Sequence, residues 1–299
     1  MRLNIHPDYN ITDGISIEDG QRLLREYTIP EGMAIETGTV TARDGHEIEI
    51  CIYRPSSQNN EALPMIMDVH GGGFVAGDYL MDRSRDLHLC EHAHCMIVAL
   101  NYRLSPQYIF PAALEDCLDV WQWMYDHAQE LGANREKMGL FGTSAGANLC
   151  AGLAFYIRDH GGPKIALNAL NVPLLGIRTS LSRDQMHFGA PTLTDSKDMT
   201  FYRAYLGERN GMPISYYAMP NEAPEYSDLP PSFIVAAEYD PLRDDAFYYV
   251  RKLMEYDVPV EFHLMPRVGH GFDMVASAPM TGWIREGLAQ AFRLAFRKQ

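Results

Sequence analysis

Short, uninterrupted apolar runs alternate along the chain with longer segments whose apolar residues recur every three or four positions. Residues 64–69, 95–101, 137–141, 165–175, 231–237 and 258–264 are runs of strand length bounded by turn residues, and they predict buried strands. Between them, 84–94, 112–131, 147–156, 243–256 and 281–296 predict helices. In 112–131 the apolar stripe is Leu114, Leu118, Trp121, Met124 and Tyr125, and in 84–94 Leu87, Leu89 and Cys90 face inward. Ahead of these, 35–41 and 46–53 alternate apolar with polar and meet at Arg43-Asp44-Gly45, a turn that predicts an antiparallel pair. Earlier still, Ser16 with Asp19 resembles a capping box for a helix over 17–27 that ends before Pro30. Strands alternating with helices imply an α/β fold, a mostly parallel central sheet with helices on both faces.

That alternation stops over residues 179–228, where Pro, Asp, Met and Tyr become frequent. One helical piece, around 198–206, carries Phe201, Tyr202 and Tyr205 on nearby faces. About fifty residues without a sheet strand is long for a connection within a domain, so the stretch reads as an inserted cap. The expected organisation is an N-terminal cap segment (1–34), a first part of the core (35–178), the inserted cap (179–228) and a second part of the core (229–299).

The chemistry concentrates where predicted strands end. Gly142-Thr143-Ser144-Ala145-Gly146 lies between a strand and a helix, the setting in which G-x-S-x-G forms a nucleophile elbow. Such a turn strains the serine backbone, admits only small neighbours and lifts Ser144 Oγ clear of the sheet. It also leaves the Ala145 amide at a helix N-terminus, facing any developing oxyanion. The strand 64–69 runs into His70-Gly71-Gly72-Gly73-Phe74, a glycine loop of the kind whose amides complete an oxyanion hole in lipases and esterases. Asp240 follows the strand 231–237, and His270, between Gly269 and Gly271, follows the strand 258–264. A serine hydroxyl needs a base, and an imidazole base needs a carboxylate to set its tautomer. Parallel strands bring their carboxyl ends to one edge, so Ser144, Asp240 and His270 can meet there. Glu238, Asp244 and Asp245 are rival acids; the first would end the strand itself and the other two fall within the next helix.

His88, Cys90, His92, His94 and Cys95 also suggest a metal cluster. Five donors on one helix cannot all point one way, and zinc sites draw ligands from separated pairs. No metal is therefore expected.

Composition narrows the partners. Of the 299 residues 46% are hydrophobic, enough for a sizeable core, and the net charge of −14 argues against nucleic acid or an anionic membrane surface as a partner. Five scattered cysteines read as reduced thiols of a cytoplasmic protein, and neither a signal peptide nor a membrane-spanning run is expected.

Taken together, H-G-G-G-F (70–74), Y-R-L-S-P…F-P-A-A…D (102–116), G-T-S-A-G (142–146), D-P-L-R-D (240–244) and H-G-F (270–272) resemble the hormone-sensitive-lipase branch of the α/β-hydrolase carboxylesterases. The resemblance implies an α/β-hydrolase fold with a small helical cap, built from the N-terminal helix and 179–228. It implies Ser144 as nucleophile, Asp240 as acid, His270 as base, and the amides of Gly72, Gly73 and Ala145 as oxyanion donors. No cofactor is implied, the substrate would be a small-molecule ester, and the resemblance leaves room for a homodimer. The family often has Asp before the serine and Gly after the motif, where this chain has Thr143 and Ala147, a form similar to a known sub-branch. Gln107 stands where Glu is usual, and the family's cap signature is altered near 216–220. The expected activity is serine carboxylesterase on short or medium acyl esters. An amidase or deacetylase on a small acylated metabolite is the second reading, and a catalytically inactive small-molecule receptor the third. Phe74, Phe110, Tyr202, Tyr205, Tyr239 and Phe272 are candidates for lining an acyl or alcohol pocket.

Overall fold

The computed structural model describes residues 5–9, 29–56, 61–177, 181–182, 195–208 and 213–297, with only the helical backbone described over 195–199. Eight strands form one sheet: β1 (Met33–Thr41), β2 (Glu47–Pro55), β3 (Leu63–Val69), β4 (Met96–Leu100), β5 (Ala133–Thr143), β6 (Asn168–Asn171), β7 (Ser232–Tyr239) and β8 (Val260–Gly269). Their order is β1-β2-β4-β3-β5-β6-β7-β8. β2 runs antiparallel to both its neighbours, and β3 to β8 are mutually parallel. The hairpin turns at Asp44-Gly45, where the Ala42 amide donates to His46 O at 2.7 Å.

Six helices are described: α1 (Arg83–Ala93), α2 (Ala112–Asp126), α3 (Ala145–His160), α4 (Asp195–Leu206), α5 (Arg243–Glu255) and α6 (Pro279–Arg297). Strand periodicity sorts the core into two layers. Met65, Met67 and Val69 of β3 point to one face, where they join Trp121 of α2, Leu149 and Phe155 of α3 and Leu253 of α5. Ile66 points to the other, with Leu89 of α1 and Phe292 of α6. All five residues of β4 are buried, which explains a run with no polar alternation at all.

Several boundaries differ from the sequence expectation. The apolar run 165–175 yields only the four residues of β6. Beyond Asn171 the backbone turns away at Val172 (φ 41°), and the Leu174 carbonyl is taken by the Asn148 side-chain Nδ2 (2.7 Å) and the Tyr202 hydroxyl (3.1 Å) instead of a strand partner. Burial without a ladder looks the same in sequence as burial within one. The helix expected to reach 131 stops at Asp126, and the chain leaves through the turn that carries the Leu131 amide back to His127 O at 3.0 Å. β8 is longer than expected, continuing through Pro266, which an edge strand tolerates. The helix expected over 17–27 lies outside the described residues.

Candidate active site

The register of the last two strands sets the geometry. Tyr239 of β7 pairs with Gly269 of β8 after a bulge, so the next residues, Asp240 and His270, leave the sheet side by side. His270 Nδ1 lies 2.7 Å from Asp240 Oδ2. A carboxylate can only accept, so Nδ1 carries the proton and Nε2 is left to accept from Ser144 Oγ, 2.9 Å away. Asp240 Oδ1 accepts the Leu242 amide at 2.9 Å, which fixes the carboxylate plane. Burial works against the imidazolium of His270, but the Asp240 charge and hydrogen bond, with Asp273 behind them, outweigh it and hold the pKa above the ordinary histidine value. The rival acids are engaged elsewhere: Glu238 accepts the Arg267 amide at 2.6 Å, and Asp244 accepts the Ser182 amide at 2.7 Å.

Ser144 sits between β5 and α3 with φ 57° and ψ −113°, a conformation that L-residues rarely adopt. The need for small neighbours has a measurable cause. A Cβ on Gly146 would lie 1.9 Å from Val69 O, and one on Gly142 would lie 2.5 Å from the Gly146 carbonyl. The elbow is therefore pressed against the end of β3, where the glycine loop begins. Gly72 and Gly73 both have positive φ (108° and 64°), and a Cβ on Gly72 would meet Ala76 O at 2.0 Å. Among the loop, turn and cap hydrogen bonds of the described residues, none is donated to a backbone acceptor by the amides of Gly72, Gly73 or Ala145.

The glycine loop is braced by the Y-R-L-S-P…D segment. The Tyr102 ring stacks on His70 at 4.2 Å and its hydroxyl donates to His70 O at 3.0 Å. The Ser105 amide donates to Phe74 O at 2.8 Å. Arg103 is itself pinned by fully buried Asp116, from Nη2 at 2.7 Å and from its backbone amide at 2.8 Å.

The aromatic candidates fall into two groups. Phe74 stacks face to face on Tyr205 at 3.8 Å, Tyr202 lies beside them, and Phe110 meets Tyr205 edge-on at 5.8 Å. These four belong to the face covered by α2, α3 and α5. Phe272 packs edge-on against Tyr9 at 6.0 Å on the opposite face, and Tyr239 is buried in β7. One aromatic residue escaped the pocket assignment. The half-buried Phe201 of α4 covers the glycine loop so closely that a Cβ on Gly73 would lie 2.5 Å from its ring. Helical spacing placed Phe201 near Tyr202 and Tyr205, but only the packing of α4 on the loop distinguishes it from them.

Sequence reasoning also missed a buried charge cluster beneath the elbow. Arg85 of α1 donates to Thr143 Oγ1 (2.8 Å), Asp68 Oδ1 (3.2 Å) and Asp273 Oδ2 (3.2 Å), pairs with Asp82 (2.7 Å), and lies 3.9 Å above the Phe141 ring. Asn171 donates to the same Asp273 oxygen at 3.0 Å, and Arg285 of α6 donates to Asp273 O at 3.1 Å. Burial, the first cause, raises the pKa of both Asp68 and Asp86 against the pull of Arg85. The signal was Asp68, a lone acid inside an otherwise apolar strand, which requires a buried cation across from it.

The chain is similar to known proteins. The sequence pattern of a family described as alpha/beta hydrolase fold matches residues 66–274. The chain is 34% identical over 222 residues to the protein named esterase LipI of Mycobacterium tuberculosis, covering 74% of this chain and 69% of that one. It is 31% identical over 283 residues to the carboxylesterase NlhH of Mycobacterium tuberculosis, covering 91% and 86%. The crystal structure of esterase LipW from Mycobacterium marinum superposes with a TM-score of 0.86 at 28% identity, covering 99% of this chain and 92% of that one.

Proposed function

We propose that this chain, which belongs to the α/β-hydrolase fold family, is a serine carboxylesterase working through Ser144, His270 and Asp240. The observation that carries the reading is the hydrogen-bond chain Ser144 Oγ–His270 Nε2 (2.9 Å) and His270 Nδ1–Asp240 Oδ2 (2.7 Å), beside the amides of Gly72, Gly73 and Ala145, which among the described residues donate to no backbone acceptor in the loops, turns and caps. Ser144 Oγ attacks the ester carbonyl as His270 Nε2 takes its proton. The amides of Gly72, Gly73 and Ala145 receive the oxyanion, each such donor lowering the barrier by roughly 2.7–4 kcal/mol. His270 then returns the proton to the departing alkoxide, leaving an acyl-enzyme on Ser144. Water, deprotonated by His270, releases the acid. Every proton and electron pair in this cycle comes from the serine, the histidine, the ester or water.

The preference for short to medium acyl groups rests on the cover. We assign the cap role to 1–34 and 179–228. In support, α4 lays Phe201 over Gly73, and the Asn148 side chain of α3 donates to Ala218 O at 3.0 Å, tying the insertion to the core next to the elbow. Among the described residues, no helix is long and apolar enough to cross a membrane.

A panel of p-nitrophenyl esters of increasing chain length tests the reading. Turnover of the short members is expected, with kcat for Ser144→Ala lower by roughly 10⁴–10⁶. A phosphonate serine reagent should label the parent and leave that variant unlabelled. Parent-like turnover by Ser144→Ala would falsify the assignment.

A further inference from the structure

Two helices on the face opposite α4 bring together a second set of reactive groups. His88 and His92 lie four residues apart on α1, so both leave the same side of the helix, and their rings stack with centroids 3.9 Å apart. α6 runs alongside and is tied to α1 at both ends of this stretch. Arg285 Nη2 donates to Ser84 Oγ at 3.1 Å, and the Arg293 guanidinium donates to His92 O. Between these ties α6 presents Glu286. One ligating atom from each of His88, His92 and Glu286 lies within 4.8 Å of the other two.

His92 Nδ1 lies 2.9 Å from His88 O, and a carbonyl only accepts, so the proton is on Nδ1 and Nε2 keeps its lone pair. This is the outer hydrogen bond that orients ligating histidines generally. His88 Nε2 is buried with no hydrogen-bond partner among the described residues. The Arg293 guanidinium also donates to the Glu286 carboxylate. That bond, 2.9 Å long, falls on Oε1.

We propose that His88, His92 and Glu286 form a binding site for a divalent first-row transition ion, with Zn²⁺ the best match and solvent in the fourth position. Two imidazoles and one carboxylate are borderline donors that suit Zn²⁺, Ni²⁺, Cu²⁺ or Co²⁺ over the oxygen-seeking Mg²⁺ and Ca²⁺. Zn–N and Zn–O bonds of about 2.0–2.2 Å put tetrahedral ligand atoms about 3.3–3.5 Å apart. His92 and Glu286 are exposed and close the remaining gap by side-chain rotation. Arg293 remains on Oε1 as an outer-sphere partner. The ion joins α1, which carries Arg85, to α6, which carries Arg285, and so clamps the two helices that converge on Asp273 behind His270. The sequence argument against a metal was that five donors on one helix diverge. His88 and His92 do not diverge, and the third donor comes from a helix almost two hundred residues away, which no local spacing reveals.

The full-length protein, stripped with a chelator and titrated with Zn²⁺ by calorimetry, tests the site. Saturable uptake of one equivalent is expected, with a rise in melting temperature that Mg²⁺ does not produce. His92→Ala and Glu286→Gln replace exposed side chains and should keep the metal-free melting temperature of the parent. Each should weaken the Zn²⁺ affinity at least about tenfold, since losing even an outer-shell partner costs about 10–100-fold. Co²⁺ should give the intense visible bands of tetrahedral coordination in the parent, and these bands should be lost in both variants. No saturable uptake, or uptake that survives either substitution unchanged, overturns the proposal. None of these measurements depends on the esterase reading.

Discussion

Asp240 has two roles that can be separated at the level of one residue. Its carboxylate orients His270 through Nδ1, and its charge holds the imidazole pKa above the ordinary value of about 6.5. The base must be neutral to accept the serine proton. kcat/KM should therefore rise with pH through the raised His270 pKa and level off, placing the acid limb above pH ~6.5. Asp240→Asn removes the anion but keeps the shape. The limb should then shift to lower pH, because the imidazolium has lost its partner, while the plateau falls about 10⁴-fold from the wrong tautomer. A pH–rate profile separates the two effects, and an unmoved limb would mean that another carboxylate, Asp273 being the nearest candidate, governs the base. At this scale much was legible in advance. Ser144, Asp240 and His270 each follow a strand, and Gly72, Gly142 and Gly146 stand where a Cβ would strike backbone within 1.9–2.5 Å. Arg85 was not legible, because nothing local in the sequence 83–93 distinguishes an arginine that turns inward from one that faces water.

Among the elements, the β7–β8 pair and α4 decide what the residues can do. Pairing of Tyr239 with Gly269 brings together an acid and a base thirty residues apart in sequence, and the bulge just before that pair supplies the offset. A one-residue slip would turn His270 to the opposite face. α4 contributes Phe201. Phe201 lies over the glycine loop, and under the proposed mechanism it stands where an acyl group would approach the amides of Gly72 and Gly73. Phe201→Ala should raise kcat/KM for longer or branched acyl esters relative to acetate, and leave the pH profile unmoved. The chain-length panel reads this directly, and an unchanged ratio between acetate and octanoate would remove Phe201 from the acyl path. Periodicity found the existence of most elements because amphipathic stripes and apolar runs report burial. It misplaced the end of β6 because the 165–175 run is buried throughout, and burial alone does not say where the ladder stops.

Across the whole molecule, Arg85 joins parts that are far apart in sequence. It contacts β3 through Asp68, β5 through Thr143 beside Ser144, and the loop after His270 through Asp273. Its side chain is 3% exposed. Removing one partner from a buried ion network costs about 3–5 kcal/mol, because the charges left behind have no solvent to turn to. Arg85→Met should therefore destabilise the protein by about that amount, a large share of a typical total of roughly 5–15 kcal/mol. Arg85→Lys keeps the charge but not the planar fork and should lose less. Urea titration of the two variants checks both the size and the order, and a loss below about 1 kcal/mol for Met would show that the carboxylates are satisfied without the guanidinium.

The sequence by itself determined the elements, the class of fold and the chemistry of the strand ends. Those features depend on local causes: periodic burial, turn residues and the small set of side chains able to activate a serine. Only the tertiary structure decided which aromatic ring covers the glycine loop and which cation answers Asp68. It alone set His88 and His92 opposite Glu286. Each of these is a contact between segments that register and helix packing bring within a few ångströms, and no spacing along the chain encodes that distance.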